Sequence, residues 1–303
     1  MLLNQLTQLF TSNFSRNLIT NVSCILKNAS TIIYVSCNQP IGIFDSGFGG
    51  LTVARAIIDL LPSEDIVYFG DTSRYPYGPQ PLEKVEAYSK QISDLLVEEH
   101  NVKMIVIACN TASAAAEDNL RQSKEIPIVG VIAPGAQAVV EVSKSKKIGV
   151  IGTVGTIKSK AYDNAINRLN TQGIELISIA CPGFVEFVER GEFAGERIRI
   201  LADRLLAPVI ETQVDALLLG CTHYPYLARV IGATVGDEVV LVSSADETAF
   251  AVAKSLEQKN LKTTNINQGK RTFISSGDVS WFAEQGQKLF GPELEKAIFH
   301  NWS

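Results

Sequence analysis

The chain has 303 residues, of which 46% are hydrophobic and 19% are charged, a composition that excludes a disordered protein or a small disulfide-stapled module. Its 27 basic and 32 acidic side chains give a formal net charge of −5, without long runs of one sign. Because binding to a phosphate backbone requires a basic surface, we expect no nucleic acid among its partners.

Apolar runs and cysteines narrow the class of protein further. No apolar run approaches the roughly 20 residues that cross a bilayer, so the sequence predicts a soluble protein with no membrane partner. The five cysteines are an odd number and include no Cys-x-x-Cys pair. This pattern argues against a disulfide framework or a zinc ribbon, and it predicts reduced thiols, no bound metal and a cytoplasmic location.

Residues 1–40 differ in kind from the rest of the chain. They contain Arg16 and Lys27 but no acidic residue, whereas residues 41–303 carry 25 basic and 32 acidic side chains. They are rich in Ser, Thr and Asn and show scattered apolar residues before one short run, Thr31 to Val35. We expect a poorly ordered extension, or residues added by a misplaced start codon, ahead of the folded unit.

From Ile41 onward, short apolar runs alternate with amphipathic stretches of helical length. Near-continuous Val, Ile and Leu is typical of strands that are buried on both faces, which favours a mainly parallel sheet with helices on each side. The predicted fold class is therefore α/β. The predicted strands are Ile41–Phe44, Ile66–Phe69, Met104–Ala108, Ile126–Ile132, Ile148–Ile151, Glu175–Ala180 and Ala216–Leu219.

Two pairs of segments repeat one plan. The strand and Gly-rich turn that begin at Ile41 recur at Ile148, 107 residues later, and the strand before Cys109 recurs before Cys221, 112 residues later. The near-equal offsets predict two similar α/β domains, related by an approximate twofold axis, with the active site in the cleft between them. The expected domains are residues 41–132 plus 242–303 and residues 133–241.

Cys109 and Cys221 are the sharpest functional signal in the sequence. A single buried cysteine is usually inert packing. Here both cysteines stand at the end of a strand and precede hydroxyl or amide residues, and the twofold relation would bring them to opposite sides of one cleft. Two opposed thiols suit a reaction in which one group removes a proton and the other returns it from the opposite face, which inverts the configuration of a carbon acid.

Proton transfer by two thiols requires neighbouring acid and base groups, because a free cysteine with a pKa near 8.5 is only partly ionised at neutral pH. Asp45 ends the first strand and His223 follows Cys221 by two residues, so each is a candidate partner for one thiol. An aspartate at this point is equally typical of a turn or helix cap, and Asp45 alone does not decide between these roles.

Two loops are candidate ligand contacts. The turn with Gly47, Gly49 and Gly50 lacks the spacing of a dinucleotide or Walker motif, but its N–H groups at a helix start can hold a carboxylate. The segment from Asp71 to Gly78, punctuated by proline and glycine, is either a plain surface loop or a substrate-contacting loop, and the spacing leaves both interpretations open.

Four motifs carry a family resemblance when they are taken together. In their order and spacing they closely resemble the glutamate racemases, cofactor-independent enzymes of bacterial cell-wall synthesis, from Ile41 to near the C-terminus. They are Asp45-Ser46-Gly47-x-Gly-Gly, Gly70-Asp71-Thr72 leading to Pro76-Tyr77-Gly78, Ala108-Cys109-Asn110-Thr111-Ala112, and Gly220-Cys221-Thr222-His223-Tyr224-Pro225.

The resemblance implies roles for individual residues. Cys109 and Cys221 would be the two catalytic acid/base groups, and Glu189 would assist proton transfer, whereas Cys181 would have no catalytic role. Glu186 stands where family members commonly have proline. The residues implied to bind the amino acid are Asp45, Ser46, Tyr77, Gly78, Asn110, Thr111, Thr222 and His223. The resemblance also implies a homodimer that uses no cofactor and supplies D-glutamate for peptidoglycan.

Three alternatives stay open on the sequence alone. A racemase of the same superfamily could act on aspartate or another amino acid. A thiol hydrolase could pair Cys221 with His223, although it would have no use for the second cysteine. A two-lobed protein could bind an amino acid in its cleft without catalysis, and such a protein would keep its function when both cysteines are replaced.

Overall fold

The computed structural model describes residues 25–28, 31–34, 37–291 and 294–302. Of the extension expected at residues 1–40, positions 1–24, 29–30 and 35–36 lie outside the described residues. Within it, Ile25–Asn28 (β1) and Thr31–Tyr34 (β2) pair as antiparallel strands. Among the described residues, no helix is both long enough and apolar enough to cross a membrane.

Strands and helices alternate along the remainder of the chain. The further strands are β3 (Ile41–Asp45), β4 (Ile66–Gly70), β5 (Met104–Ile107), β6 (Ile128–Gly130), β7 (Lys147–Gly152), β8 (Glu175–Ala180), β9 (Ala216–Gly220), β10 (Val240–Ser243), β11 (Arg271–Ser275) and β12 (Ile298–Phe299). The helices are α1 (Leu51–Leu60), α2 (Leu82–Glu98), α3 (Asn110–Ser123), α4 (Ile132–Val142), α5 (Val154–Lys158), α6 (Ala161–Arg168), α7 (Phe184–Glu189), α8 (Glu196–Thr212), α9 (Ala228–Val235), α10 (Ser244–Gln258) and α11 (Val279–Phe290). A 3₁₀ turn covers Tyr224–Leu227.

Two parallel sheets organise these elements, which confirms the predicted α/β class and its two similar domains. The first domain contains a six-stranded sheet in the order β12-β11-β4-β3-β5-β6, and the second a four-stranded sheet in the order β8-β7-β9-β10. The four-strand orders β4-β3-β5-β6 and β8-β7-β9-β10 are equivalent, because the strands have the same relative order along the chain. Ile41 pairs with Met104 in the first domain, and Ile148 pairs with Ala216 in the second, so the repeat read from the sequence is a repeat of strand register.

The strand predicted for Ile126–Ile132 is too long by two residues at each end. Only Ile128–Gly130 forms a strand, and Ile132 begins α4, because one continuous apolar run serves both a buried strand and the buried start of a helix. The strands β10, β11 and β12 had no counterpart among the predicted ones. Since β10 extends to Ser243, the second sheet continues two residues past the expected domain limit at residue 241.

The chain crosses between the domains at two points, near Val131 and near Ser243. After the first crossing, α4 buries Ile132, Ala136 and Val139 in the core of the second domain. After the second crossing, α10 packs on α1 of the first domain and also contacts α4. The Ser243 side chain caps α10 by accepting a hydrogen bond from the Ala245 N–H. The two domains are therefore joined by short connections on one side of the cleft.

A buried ion pair ties the beginning of the first domain to its sheet. Lys103 Nζ lies 2.5 Å from Glu64 Oε2 and also donates to the Cys37 carbonyl, and both charged side chains are almost fully buried. The second carboxylate oxygen of Glu64 accepts the Thr263 N–H at 2.8 Å. Residues 37–40 are thus attached to the fold although they precede the expected domain start at residue 41.

Replacing Lys103 by methionine should lower the free energy of unfolding by about 3–5 kcal/mol, because it leaves the Glu64 carboxylate buried without its cation. Urea denaturation measures this change. The matched control is Lys288→Met, which removes one partner of the exposed Lys288–Glu284 pair and should leave the unfolding free energy nearly unchanged. Equal losses in the two variants would contradict a special contribution of the buried pair.

Candidate active site

A small cavity lies where the carboxyl ends of β3 and β5 face those of β7 and β9. These are the points where strand order reverses in each sheet, the usual position of ligand sites in such folds. The cavity volume is about 20 Å³, which is room for one or two water molecules. Its lining residues come from both domains and are Ser46, Tyr75, Pro76, Tyr77, Gly78, Cys109, Asn110, Thr111, Thr153, Val185, Cys221, Thr222 and His223.

The Cys109 thiol projects into this cavity from the first domain. Cys109 follows β5 and stands at the N-cap of α3, and its Sγ lies 3.9 Å from the Ser46 hydroxyl oxygen. Burial raises the pKa of the Cys109 thiol to about 12, and the nearby Asp45 carboxylate adds to the increase, while N–H groups of Ala112 and Ser46 oppose it. At neutral pH this thiol therefore carries its proton.

The Cys221 thiol enters from the second domain. It follows β9, and its Sγ lies 3.9 Å from His223 Nδ1. Burial raises the pKa of the Cys221 thiol, the His223 N–H opposes the increase, and the charges of Cys109 and Asp45 add to it. Because ionisation of either thiol disfavours ionisation of the other, the two sulfur atoms share one enclosed electrostatic environment.

His223 connects Cys221 to a carboxylate. On one side of the ring, Nδ1 faces the Cys221 sulfur, and on the other side Nε2 lies 3.6 Å from Glu189 Oε1 and 3.5 Å from the Tyr75 hydroxyl. Glu189 Oε1 is buried and has no hydrogen-bond partner among the described residues. Glu186, which belongs to the first turn of the same helix α7, is exposed and favourably placed for the helix dipole. Glu189 is thus the acid that reaches the histidine.

Asp45 is fully buried behind the cavity. Its Oδ1 accepts the Gly47 N–H at 2.8 Å, the Gly50 N–H also contributes, and its Oδ2 accepts the Thr222 hydroxyl at 3.3 Å. Burial raises the pKa of Asp45, although the His223 charge and these hydrogen bonds counteract the increase. The N–H groups of the Gly-rich turn therefore hold a carboxylate of the protein itself.

Asn110 and Thr111 follow Cys109 and reach across to the second domain. Asn110 Oδ1 accepts a 2.6 Å hydrogen bond from the Tyr162 hydroxyl, whereas its Nδ2 is buried without a partner among the described residues. The Thr111 hydroxyl lies 2.9 Å from that of Thr153 and 3.2 Å from that of Thr156. The cavity consequently contains one unused amide donor and a cluster of hydroxyls that can donate or accept.

The loop from Asp71 to Gly78 is anchored on its inner side. The buried Asp71 carboxylate accepts hydrogen bonds from Arg74 Nε at 2.7 Å, Trp302 Nε1 at 2.8 Å, the Ser276 hydroxyl at 2.7 Å and the Tyr77 hydroxyl. The Tyr77 hydroxyl points to Asp71, so its proton is used within the loop. The loop contributes Tyr75 to Gly78 to the cavity wall, so it is more than a surface connection.

The sequence did not assign to the site three polar residues in or near the cavity, Tyr75, Thr153 and Tyr162, nor the apolar lining residues Pro76 and Val185. Thr153 stands 107 residues after Ser46, at the corresponding point of the repeat, and this spacing was a usable signal. Tyr75 and Tyr162 had no such signal, because their roles depend on contacts made across the cleft. The Gly49 position was also informative, since a Cβ there would lie 2.4 Å from the Thr222 hydroxyl of the opposite domain.

Other concave surfaces offer less chemistry. A groove of about 730 Å³ lies between α4 and α10, but neither cysteine nor histidine lines it. Among the described residues, no group of three or more His, Cys, Asp or Glu side chains could hold a metal ion. The thiol cavity is therefore the candidate active site, although it is much smaller than the groove.

The arrangement supports proton transfer on two faces of one carbon. Two protonated thiols approach from opposite domains, each with its own acid or base partner, and the amide and hydroxyl donors between them suit a carboxylate. Nine of the predicted residues line the cavity, and Asp45 and Glu189 lie directly behind it.

Comparisons with known proteins point in the same direction. Residues 42–251 match the Asp/Glu/Hydantoin racemase family. The chain is 46% identical over 256 residues to a glutamate racemase from Parafrankia sp., a match that covers 84% of this chain and 92% of that protein. Its fold is similar to that of a glutamate racemase isoform from Bacillus anthracis, with a TM-score of 0.82, 39% identity, and coverage of 88% of this chain and 97% of that one. It is also similar to a glutamate racemase from Francisella tularensis in complex with D-glutamate, with a TM-score of 0.80, 32% identity, and coverage of 88% and 98% respectively.

The raised pKa of Cys109 predicts an unusual pH dependence of its alkylation. Because the buried thiol stays protonated far above pH 8.5, its reaction rate with iodoacetamide should rise about tenfold for each pH unit between pH 7 and 10 without levelling off. Peptide mass spectrometry separates the cysteines. The control is the same peptide in the urea-unfolded chain, whose rate should level off near pH 8.5. A plateau near that pH in the folded protein would contradict the effect of burial.

Proposed function

Because the chain belongs to the Asp/Glu/Hydantoin racemase family, we propose that it is a glutamate racemase that interconverts L- and D-glutamate. In this reaction one thiol of the Cys109–Cys221 pair removes the α-proton and the other returns a proton to the opposite face. The observation that carries the proposal is the position of the two thiols, which end corresponding strands of two similar domains and line one cavity.

Burial of the thiols fits the weak acidity of an amino-acid α-carbon. A thiolate whose conjugate acid has a high pKa is a stronger base than a thiolate in water, and it gains more by accepting the proton. Formation of the thiolate from a thiol with a raised pKa requires a group that stabilises the negative charge on sulfur. A bound glutamate brings an α-ammonium group into the cavity, and a positive charge within a few ångströms favours the thiolate over the thiol. Substrate binding itself would then help to generate the base.

Each thiol has a different partner for its proton. Cys221 faces His223, which in turn faces Glu189, and this row of groups can accept a proton from the sulfur and return it. Cys109 faces Ser46 and the buried Asp45, so its proton would move through a hydroxyl and a carboxyl group. The proposed chemistry is symmetric at the carbon, but it is asymmetric behind the two sulfur atoms.

The donors between the thiols would bind the substrate carboxylate. Asn110 Nδ2 is a buried donor that lacks a partner among the described residues, and burial of an unpaired donor is costly unless a ligand uses it. The hydroxyls of Thr111 and Thr153 lie beside it. In a cavity with little water, such donors also stabilise negative charge that develops as the α-proton leaves.

Access to the cavity requires the two domains to separate, because about 20 Å³ does not hold an amino acid. Opening would break the interdomain hydrogen bonds of Tyr162 with Asn110, Thr111 with Thr153, and Thr222 with Asp45. The two crossings near Val131 and Ser243 lie on one side of the cleft and provide the hinge. Each turnover would therefore include opening and closing of the cleft.

The rival activities make different use of the same groups. A hydrolase could employ Cys221 and His223, but it would leave Cys109 without a function. A non-catalytic binding protein would not need buried thiols with raised pKa values. The supply of D-glutamate for peptidoglycan in the cytoplasm, action without a cofactor, and the homodimer follow from the family resemblance alone, and they stay predictions.

Incubation of the purified protein with L-glutamate in D₂O tests the proposal. We expect D-glutamate that carries deuterium at the α-carbon, while the remaining L-glutamate is still protonated early in the reaction, because the returning proton comes from the second, solvent-exchanged thiol. NMR measures the deuterium and polarimetry measures the inversion. Parallel incubation with L-aspartate tests the narrower rival. Absence of α-deuteration of either amino acid by folded protein would refute the racemase proposal.

Replacement of either cysteine by serine should lower the racemisation rate by at least ~10²- to 10⁴-fold, because each direction of the reaction needs both groups. The remaining thiol should still exchange the α-proton of one enantiomer without inversion. Cys109→Ser and Cys221→Ser should therefore differ in the enantiomer that they deuterate. Cys181→Ser is the matched control, since Cys181 packs in the core of the second domain. Identical exchange patterns in the two active-site variants would argue against opposed thiols.

A further inference from the structure

We propose that Tyr162 is a positioning residue that orients the Asn110 amide for the substrate carboxylate only when the two domains are together. The inference rests on the proposed racemase function, which it deepens by adding a residue that controls substrate binding. It also concerns closure of the cleft, which can be measured without substrate.

The central contact is a short interdomain hydrogen bond. Tyr162 belongs to α6 of the second domain and is 1% exposed, and its hydroxyl donates to Asn110 Oδ1 at 2.6 Å. Asn110 begins α3 of the first domain, directly after Cys109. The bond therefore joins the start of α3, beside Cys109, to the interior of the other domain, and separation of the domains would break it.

This bond determines which end of the amide faces the cavity. With Oδ1 occupied by the Tyr162 hydroxyl, the Nδ2 group remains, and it is buried without a partner among the described residues. An Nδ2 group can donate to a carboxylate, whereas an amide oxygen in the same place would repel it. Without the tyrosine hydroxyl, rotation of the amide would cost little, and the favourable orientation would be lost for part of the time.

Tyr162 is itself held at the second crossing between the domains. Ser244, at the start of α10, lies beside the Tyr162 hydroxyl, since both approach the same side of Gly135. A Cβ at Gly135 would lie 3.0 Å from Ser244 Cβ and 3.4 Å from the Tyr162 hydroxyl, and a Cβ at Gly220 would lie 3.0 Å from the tyrosine ring. One hydroxyl thus lies between the amide and the proposed hinge, so rotation at that hinge would move the group that orients the amide.

The variant Tyr162→Phe removes only the hydroxyl. We expect KM for glutamate to rise roughly 2- to 10-fold, the usual effect of losing one neutral hydrogen bond, with a smaller change in kcat. The matched control is Tyr224→Phe, because Tyr224 is equally buried, donates to the Cys181 carbonyl within the second domain, and does not line the cavity. This control should leave KM nearly unchanged. Similar KM values for the Tyr162 variant and the wild type would overturn the inference.

A double-mutant cycle tests whether Tyr162 acts through Asn110. In an Asn110→Ala background, Tyr162→Phe should produce no further increase in KM, because the amide that it orients is absent. Independent, additive increases would assign Tyr162 a purely structural role. If Tyr162→Phe does not fold, Asn110→Asp provides the test, since it keeps an oxygen for the tyrosine and replaces Nδ2 by a second oxygen. KM for Asn110→Asp should exceed that for Asn110→Ala, and the reverse order would overturn the inference.

Closure is measured without substrate by alkylation of Cys109 and Cys221 with iodoacetamide. Loss of one interdomain hydrogen bond should increase both rates roughly 2- to 10-fold in Tyr162→Phe and not in Tyr224→Phe. Faster alkylation in a protein that does not racemise glutamate would refute the proposed function and support the interdomain role of Tyr162. Unchanged alkylation rates together with an unchanged KM in an active racemase would refute the role of Tyr162 and leave the proposed function intact.

Discussion

Enclosure of two thiols between two domains is the constraint on which the rest of the structure depends. Taken out of water, Cys109 and Cys221 hold their protons more tightly, and this property makes each a strong base once it has lost its proton. Enclosure also favours hydrogen bonds across the cleft for polar groups in the cavity wall, with Asn110 Nδ2 left as a donor for a ligand. Asn110 Oδ1, the Thr111 hydroxyl and the Asp45 carboxylate each have such an interdomain hydrogen bond.

The same constraint explains the close approach of backbone across the cleft. Gly49 of the first domain lies against Thr222 and His223 of the second, and the Gly155 N–H donates to the Gly78 carbonyl. A Cβ at Gly155 would collide with the Gly78 carbonyl oxygen, and a Cβ at Gly78 would collide with the Thr153 side chain. Closure therefore depends on backbone that carries no Cβ at these positions. The small cavity and the glycine-rich loops are two aspects of one fit.

The sequence alone predicted the features that repeat and missed those that arise between the repeats. The predicted strands that begin at Ile41 and Ile148 are separated by nearly the same number of residues as the two cysteines. Equivalent strand pairing in the two domains accounts for this spacing. Periodicity could not separate the end of β6 from the start of α4, because both are apolar and buried. Nothing in the segment around Tyr162 indicates that its partner lies 52 positions earlier in the other domain. The buried Lys103 was equally hidden, as its carboxylate partner comes from a separate loop.

The unequal surroundings of the two thiols have a thermodynamic consequence for the proposed reaction. L- and D-glutamate have the same free energy in solution, so the equilibrium constant of their interconversion is one. For this reason the ratio kcat/KM must be equal for the two enantiomers, however different the His223–Glu189 side and the Asp45–Ser46 side are. The asymmetry can appear only as a matched difference in kcat and in KM. The protein is therefore free to bind one enantiomer more tightly, but it must turn that enantiomer over more slowly by the same factor.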